Sequence, residues 1–312
     1  MDKYFLPKNI DRIVVPPIKC QGIKTKLVDF IASTIKWNGN GTWIEPFLGS
    51  GVVLFNIQPE RALASDTNKH IINFYIDLQK GHIDEKIVKD YLDDMGVKLF
   101  KFGEDFYYDV RDQFNAGDGD SLKLLFLNRC CYNGLMRFNA QGKFNVPFGH
   151  KPERFRRPYI TKIVNQVSKF RQILRNKEWT FHARDWRETM AQASPEDFVY
   201  LDPPYIGRHT DYYNNWTDAD AVELAKVSSK LECGFGLSMW KENKYRENVH
   251  LDVHWNCYVI KTFSHFYHLG SKEKFRNEMT EALVLKRENV ANLQDDRVSR
   301  FKPIREKQLS IF

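Results

Sequence analysis

The tetrapeptide Asp202-Pro203-Pro204-Tyr205 has the residue types needed to activate a weakly nucleophilic amine. It follows Phe198 to Leu201, an apolar run that predicts a short buried strand. Two consecutive prolines cannot continue a central strand, so the chain must turn and present Asp202 at the carboxyl end. The Asp202 carboxylate and the Pro203 carbonyl can each accept a hydrogen bond from an exocyclic amino group such as that of adenine. These bonds would localise the nitrogen lone pair toward an electrophile, while the Tyr205 ring offers a stacking face.

A glycine turn earlier in the chain predicts a ligand that contains an adenosine but no phosphates. Gly49-Ser50-Gly51 follows a predicted strand at residues 42–47, and the third glycine of a dinucleotide fingerprint would fall at Leu54. The absence of a Gly-Lys-Ser/Thr sequence excludes a P-loop. Asp66 ends the next predicted strand, where it can bind ribose hydroxyls. S-adenosylmethionine fits this pattern, although an ordinary strand-to-helix turn would explain the glycines if they stood alone.

The order strand, glycine turn, helix, strand and acid predicts a doubly wound α/β domain of Rossmann-like type. We expect this catalytic, cofactor-binding domain to comprise residues 12–80 and 178–286. Residues 81–177 are predicted to be an inserted, mainly helical domain with a β-hairpin whose tip lies at Gly142-Lys143, and residues 287–312 a peripheral tail. The helices expected from apolar periodicity are residues 24–36, 52–56, 84–100, 106–114 and 218–231. Further strands are expected at residues 61–65, 234–238 and 281–286.

Composition excludes several classes of protein. The chain of 312 residues has no run of about 18 apolar residues, so no transmembrane helix is expected. Its first residues do not read as a secretion signal. The five cysteines are odd in number and lack Cys-x-x-Cys spacing, which predicts a reducing cytosol and no metal site.

The positive charge is concentrated in one segment. The chain carries +7, but residues 149–177 contain nine basic residues and one acid, so this segment is +8 and the remainder −1. Aromatic residues such as Phe155 and Tyr159 are interleaved with the basic ones. This pattern predicts a surface that faces nucleic-acid phosphates; a solvated helix face is the simpler alternative.

Together the motifs resemble the Dam-type adenine-specific DNA methyltransferases over about residues 16–286. The segments that carry the resemblance are residues 16–27, 45–51, 65–68, 128–149 and 200–209. Their order, with the recognition insert between the cofactor and catalytic motifs, is that of the alpha group. Within the family the chain is most similar to an EcoRV-like subgroup. Family members generally carry an aromatic residue at the position of Cys20 and a glycine at that of Ile23, and this subgroup shares the small-residue version.

The resemblance implies roles for individual residues. The catalytic residues would be Asp202, Pro203, Pro204 and Tyr205. S-adenosylmethionine would be bound by Lys24, Glu45, Phe47, Gly49, Gly51, Asp66 and Asp202.

A second group of residues is implied to bind double-stranded DNA. Lys19 and Arg137 would each contact a guanine, Arg137 through a bidentate pair. Leu135 and Pro147 would contact a thymine methyl group. Tyr132 and Asn133 would help to open the duplex as the adenine leaves the stack. The other implied DNA-binding residues are Asn139, Lys151, Arg154, Arg156 and Arg157.

The resemblance implies a cytoplasmic enzyme that is encoded either by a prokaryote or by a phage. It would be the modification enzyme of a restriction–modification system, paired functionally with an endonuclease but not bound to it stably. The subgroup favours GATATC as its site, with GATC the alternative.

Three other functions were weighed against this one. A cytosine C5 methyltransferase needs a Pro-Cys nucleophile, and no cysteine here follows a proline. An RNA or protein-glutamine methyltransferase usually has Asn where Asp202 stands. A non-catalytic DNA-binding protein on the same scaffold would not need Asp66, Asp202 and Tyr205 intact.

Three smaller features have simpler interpretations. His209, Asp211, Tyr212 and Tyr213 are predicted to form either a lid over the base or an ordinary surface loop. His265 and His268 are interpreted as structural, and Met239-Trp240 is expected in the core or at the back of the adenine pocket.

Overall fold

A computed structural model of the protein describes residues 5–117, 120–205, 216–243, 246–268 and 276–293. The predicted lid or loop at residues 209–213 lies outside these ranges, as does the tail beyond residue 293. The side chains of His265 and His268 also lie outside what the structure describes.

A mixed β-sheet forms the centre of the molecule. Its strands are β1 (Trp43–Glu45), β2 (Arg61–Asp66), β3 (Glu178–Ala183), β4 (Phe198–Leu201), β5 (Gly234–Asn243), β6 (Arg246–Glu247), β7 (Val259–His268) and β8 (Arg276–Leu285). Seven of them lie in the order β3-β2-β1-β4-β5-β8-β7, and β6 pairs with the end of β5. The strands from β3 to β5 are parallel, whereas β8 is antiparallel to β5 and β7. The strand order changes direction between β1 and β4, and ligands bind at such switch points.

Helices pack on this sheet. They are α1 (Val28–Thr34), α2 (Leu54–Ile57), α3 (Lys69–Lys80), α4 (Glu85–Ala116), α5 (Ser121–Cys130), α6 (Arg157–Leu174), α7 (Trp186–Met190), α8 (Asp218–Ser228) and α9 (Val249–His254). Local signals explain several boundaries: Asn68 caps α3, Gly81 ends it with a φ of 77°, and Thr217 and Asp220 form a capping box on α8.

Some predicted elements differ from those observed. The two helices expected at residues 84–100 and 106–114 both form within the range of α4, because Gly103 has a non-helical φ of 60° and ψ of −130° and divides α4 into two helices. The helix expected from residue 24 begins only at Val28. Strands β3 and β7 were missed, although β3 buries Trp179 and Phe181 alternately with exposed residues.

The two faces of the sheet carry separate apolar clusters. Trp43, Phe198 and Leu283 belong to one cluster, while Ile44, Val199 and Val284 belong to the other. Successive strand residues point to opposite faces, so both faces are covered by apolar packing. The structure thus agrees with the expected α/β architecture.

The buried apolar residues described between positions 81 and 177 belong to the same hydrophobic cluster as one face of the sheet. Phe170 of α6 stacks on Phe55 of α2 with ring centroids 3.9 Å apart, and it also stacks on Tyr75 of α3. These rings belong to one cluster with the sheet. The predicted inserted domain with its boundaries therefore stays a prediction.

The start of the predicted peripheral tail packs against the rest of the chain. Val290 is 5% exposed and forms an antiparallel bridge with Ile35. The Ala291 amide donates to the Thr34 carbonyl over 2.9 Å. Val290 and Ala291 thus contact the end of α1, and the assignment of residues 287–312 to a peripheral tail stays a prediction.

Candidate active site

A cavity of about 570 Å³ opens at the carboxyl ends of β1, β2 and β4. Most of the residues predicted to be catalytic or to bind cofactor line it: Lys24, Glu45, Phe47, Gly49, Asp66, Asp202, Pro203, Pro204 and Tyr205. Gly51, also predicted to bind cofactor, is not part of the lining. The fold thus brings two distant motifs to one site, because β1 and β4 are neighbours in the sheet.

The glycine turn is held by Asp66. One carboxylate oxygen of Asp66 accepts from the Gly49 amide over 2.9 Å, and the other accepts from the Asn68 amide over 2.8 Å. Gly49 has a φ of 50°, and a Cβ atom there would meet nothing within 4 Å. A ligand can therefore approach its backbone closely. Gly51 acts differently: its amide closes the turn onto Leu48, and a Cβ atom would crowd Phe55.

Asp202 pairs with Lys24 at the start of the catalytic tetrapeptide. The Lys24 ammonium lies 2.7 Å from Asp202 Oδ1 and also donates to the Gly22 carbonyl over 2.9 Å. The Lys24 side chain is 5% exposed and that of Asp202 21%. Burial raises the pKa of Asp202, and the Lys24 charge opposes this shift. The ion pair therefore favours an ionised Asp202 in a desolvated site.

Tyr205 is held by contacts with Glu281 and Lys24. Its hydroxyl donates to the buried carboxyl group of Glu281 over 2.7 Å. The Lys24 ammonium lies 4.8 Å from the centroid of its ring. Lys24 therefore contacts both functional side chains of the tetrapeptide.

The cavity wall is rich in buried carboxyl groups. Glu45 accepts from the Trp43 indole over 2.8 Å, and burial raises its pKa to about 8. The pKa of Asp66 is also raised by burial, although two amide donors oppose the shift. A positively charged ligand bound beside these groups would favour their ionised forms and offset the effect of burial.

Sequence reasoning missed several residues of the cavity wall: Asp185, Trp186, Arg187, Trp216, Asp220 and Glu281. Asp185 and Trp186 follow β3, so missing that strand hid them. The centroid of the Phe47 ring lies 6.1 Å from that of Trp186 and 5.5 Å from that of Trp216. Together these rings form an aromatic wall on which a planar base could pack. Met239 and Trp240 do not line the cavity; Trp240 is buried and Met239 packs against the second apolar cluster.

The predicted recognition segment forms two arms joined by antiparallel bridges between Cys131 and Phe148 and between Phe138 and Phe144. Apolar residues on alternate positions are buried: Met136, Phe138, Phe144, Val146 and Phe148. The intervening positions include the predicted DNA contacts Leu135, Arg137, Asn139 and Pro147, which are partly or fully exposed. The alternation places Arg137, Asn139 and Pro147 away from the core, whereas Leu135 packs against the core and lines the cavity.

The structure places the other predicted DNA-binding residues around this segment. Tyr132 is 50% exposed, and the neighbouring Asn133 adopts a positive φ of 53°. The Lys19 side chain lies against Gly134, where a Cβ atom would be 2.4 Å from its Cδ. Burial lowers the pKa of Lys19, and the nearby Arg129 and Arg154 lower it further.

The basic residues after the hairpin differ in their surroundings. Lys151, Arg156 and Arg157 are exposed. Arg154 instead donates to the Tyr159 hydroxyl over 2.9 Å and to the Arg129 carbonyl over 3.0 Å. Its guanidinium group therefore has internal partners, which the sequence did not indicate.

The described residues contain neither a metal-binding cluster nor a membrane-spanning helix. No group of three or more His, Cys, Asp or Glu side chains there is arranged to hold a metal ion. Within the same residues, no helix has the length and apolar character needed to span a membrane.

Comparison with known proteins decides the family. The D12 class N6 adenine-specific DNA methyltransferase family matches residues 21–279. The chain belongs to this family. It is therefore an adenine-specific DNA methyltransferase, and its mixed sheet is consistent with a methyltransferase fold. The match does not support the cytosine, RNA or protein-glutamine alternatives.

Individual relatives agree with this assignment. The chain is 34% identical over 223 residues to a DNA adenine methylase of Serratia marcescens, which covers 69% of this chain and 77% of the relative. It is 32% identical over 243 residues to the Type II methyltransferase M.MjaIII of Methanocaldococcus jannaschii, covering 70% and 81%. With a DNA adenine methylase of Escherichia coli K12 it shares 31% identity over 197 residues, covering 60% and 66%.

Proposed function

We propose that the protein transfers a methyl group from S-adenosylmethionine to N6 of an adenine that has been flipped out of duplex DNA at a specific site. The observation that carries this proposal is the pairing of Asp202 with Lys24 beside the Tyr205 ring, at the edge where the glycine turn opens. Adenine-specific activity follows from the family; the cofactor, the residue roles and the target site are the proposed parts.

The cavity fits S-adenosylmethionine on three counts. Gly49 leaves open space where a side chain would block close approach, and Asp66 is the acid expected at ribose hydroxyls. The aromatic wall of Phe47, Trp186 and Trp216 suits the cofactor's adenine ring. When bound, the cofactor supplies an electrophilic methyl group on a positively charged sulfur, which the carboxyl-rich wall would tolerate. Lys24, Glu45 and Gly51 complete the proposed cofactor-binding set with Asp202.

Asp202 and its neighbours would activate the target amine. The Asp202 carboxylate and the Pro203 carbonyl would accept hydrogen bonds from the two N6 hydrogens and so direct the lone pair toward the methyl group. The Lys24 charge keeps Asp202 an acceptor by favouring its ionised form. Pro204 holds the turn, and Tyr205 stacks on the base.

The segment at residues 132–147 would read the DNA. Arg137 suits a guanine edge, Leu135 and Pro147 a thymine methyl group, and Lys19 a second guanine. Tyr132 and Asn133 stand at the exposed end of this segment, where they would fill the space left by the flipped base. The remaining proposed DNA contacts are Asn139, Lys151, Arg154, Arg156 and Arg157.

The biological role would be that of a modification enzyme in a restriction–modification system. The similarity to an EcoRV-like subgroup of the alpha group favours GATATC as the site over GATC, and the enzyme would act in the cytoplasm of a prokaryote. Single-molecule mapping of methylated adenines in DNA from cells that express the protein tests the site directly. Methylation confined to one of these sequences would identify it, and methylation without sequence preference would contradict the proposed specificity.

Substitution of Asp202 tests the proposed mechanism. Asp202→Ala removes the acceptor for the target amine, so methyl transfer to duplex DNA should be abolished while cofactor binding is largely retained. Transfer of a labelled methyl group and calorimetric titration with S-adenosylmethionine measure the two effects separately. Asp252→Ala, an exposed aspartate of α9, is the matched control. Turnover retained by Asp202→Ala would show that the mechanism is wrong.

A further inference from the structure

Glu281 is a buried carboxyl group outside the proposed catalytic tetrapeptide and cofactor-binding set. It lies on β8, is 3% exposed and lines the cavity. On β8, Glu281 points to the same face of the sheet as Leu283 and Leu285. Those two residues belong to the apolar cluster that also contains Trp43 and Phe198. A carboxyl group at a core-facing position is unfavourable unless it has a specific polar partner.

One polar partner of Glu281 is Tyr205, the aromatic residue of the proposed catalytic tetrapeptide. The Tyr205 hydroxyl donates to Glu281 Oε2 over 2.7 Å, a contact between residues 76 positions apart in the sequence. Tyr205 itself follows β4 in a segment without regular secondary structure. Its backbone alone therefore gives the ring little support, and the hydrogen bond to a strand of the sheet supplies a fixed point.

Two contacts fix the orientation of the Tyr205 ring. The Lys24 ammonium lies over the ring at 4.8 Å from its centroid, and the same ammonium pairs with Asp202. The hydroxyl is tied to Glu281 at the ring's edge. The plane of the ring is therefore set relative to Asp202 by one contact on its face and one at its hydroxyl.

We propose that Glu281 is a positioning residue for methyl transfer, because its carboxyl group holds the Tyr205 ring in the plane on which the target adenine stacks beside Asp202. This inference rests on the roles proposed above for Asp202 and Tyr205. Misplacement of a reacting group by about 1 Å can lower a rate by about a hundredfold, so a small tilt of the ring is sufficient to affect transfer.

A double-mutant cycle on the full chain tests the coupling. Glu281→Ala and Tyr205→Phe each remove one end of the hydrogen bond, and each should lower kcat by about ten- to a hundredfold. The double variant should be no slower than the slower single variant, because both changes release the same ring. Glu281→Gln keeps an acceptor oxygen and should restore most of the rate. The KM for S-adenosylmethionine should stay unchanged in all of them.

The controls separate this inference from a purely structural role. Glu242→Gln on the adjacent strand β5 removes a carboxyl group that does not line the cavity, and it should leave kcat unchanged. If Glu281→Ala does not fold, the cycle is run with Glu281→Gln, whose smaller rate loss should disappear in the Tyr205→Phe background.

Two results would overturn the inference. Losses that multiply in the double variant would show that Glu281 and Tyr205 act independently. A raised KM for S-adenosylmethionine with kcat unchanged would show that Glu281 serves cofactor binding instead. Asp202→Ala, run in parallel, distinguishes the two levels of proposal: an active Asp202→Ala variant overturns the proposed function, whereas an inactive one with independent losses overturns only the role of Glu281.

Discussion

At the scale of single residues, the wall of the cavity contains several largely buried carboxyl groups. Glu45, Asp202 and Glu281 are largely buried on one wall, and Lys24 is the cation paired with Asp202 among the described contacts. Desolvation favours the neutral form of a carboxyl group, as the pKa of about 8 at Glu45 illustrates. The free protein therefore binds protons at this site that the unfolded chain would release.

The pH dependence of stability should reveal the proton on Glu45. Its pKa rises from 4.5 in the unfolded chain to about 8 in the fold, so the folded state binds the extra proton between these values. The contribution of Glu45 to the free energy of unfolding is therefore largest below about pH 4.5, and it falls as the pH rises toward 8. Glu45→Gln keeps an acceptor for Trp43 and removes the titration, so its stability relative to the natural protein should increase across this range.

Urea unfolding at several pH values measures this difference. Glu104→Gln, on the exposed side of α4, controls for the loss of one carboxyl group. A difference between Glu45→Gln and the natural protein that does not change between pH 5 and pH 8 would contradict the assigned protonation.

At the scale of elements, the segment at residues 131–148 shows how alternation separates packing from recognition. Phe138 and Phe144 bridge the two arms and are buried, whereas Arg137 between the buried positions stays partly exposed. The Arg137 guanidinium donates to the Asn145 side chain over 2.8 Å and to its carbonyl over 3.2 Å. Asn145 thus orients Arg137 from the opposite arm before DNA is present.

Removing Arg137 should relax sequence discrimination. A bidentate contact to guanine is worth about 1–3 kcal/mol, so Arg137→Ala should lose that much preference at one base pair of the site. Lys143→Ala, an exposed change near the tip of the same segment, should leave discrimination unchanged. Competition between cognate and single-substituted duplexes measures both variants. Unchanged preference in Arg137→Ala would refute its assignment as a base contact.

At the scale of the whole molecule, the basic segment does not form one surface beside the cavity. Helix α6 has 18 residues and so spans about 27 Å. Its carboxyl end leads into β3 at the amino edge of the sheet, where Lys177 pairs with Glu60 over 2.9 Å. The cavity lies at the opposite, carboxyl edge. Arg171 is also paired internally, with Glu85 on α4.

This arrangement predicts that charge matters at one end of α6 more than at the other. The double variant Arg156→Ala/Arg157→Ala should lower DNA affinity and reduce the slope of log K against log salt by about 2, since each phosphate contact contributes about 0.9. Lys169→Ala/Arg175→Ala removes the same charge from exposed positions near the far end and should change the slope little. Equal effects of the two variants would show that the whole helix contacts DNA.

The sequence alone determined the parts of the site that depend on neighbours in the chain. The apolar strand before Asp202 and the two prolines after it predict an acid at a strand end, and Gly49 and Asp66 are recognisable in the same way. Such motifs can be recognised in the sequence because local backbone preferences set their geometry. Asp185 and Trp186 were missed because the short strand before them, with only two buried aromatic residues, has a weak pattern.

The tertiary structure alone decided which distant groups meet. It pairs Lys24 with Asp202 and Glu281 with Tyr205, and these contacts depend on the positions of strands that are far apart in sequence. It also decided where the excess charge lies, because the sequence records the number of basic residues in α6 but not which end of the helix approaches the cavity. Contacts between elements arise from packing and strand order, and no local pattern of residues encodes them.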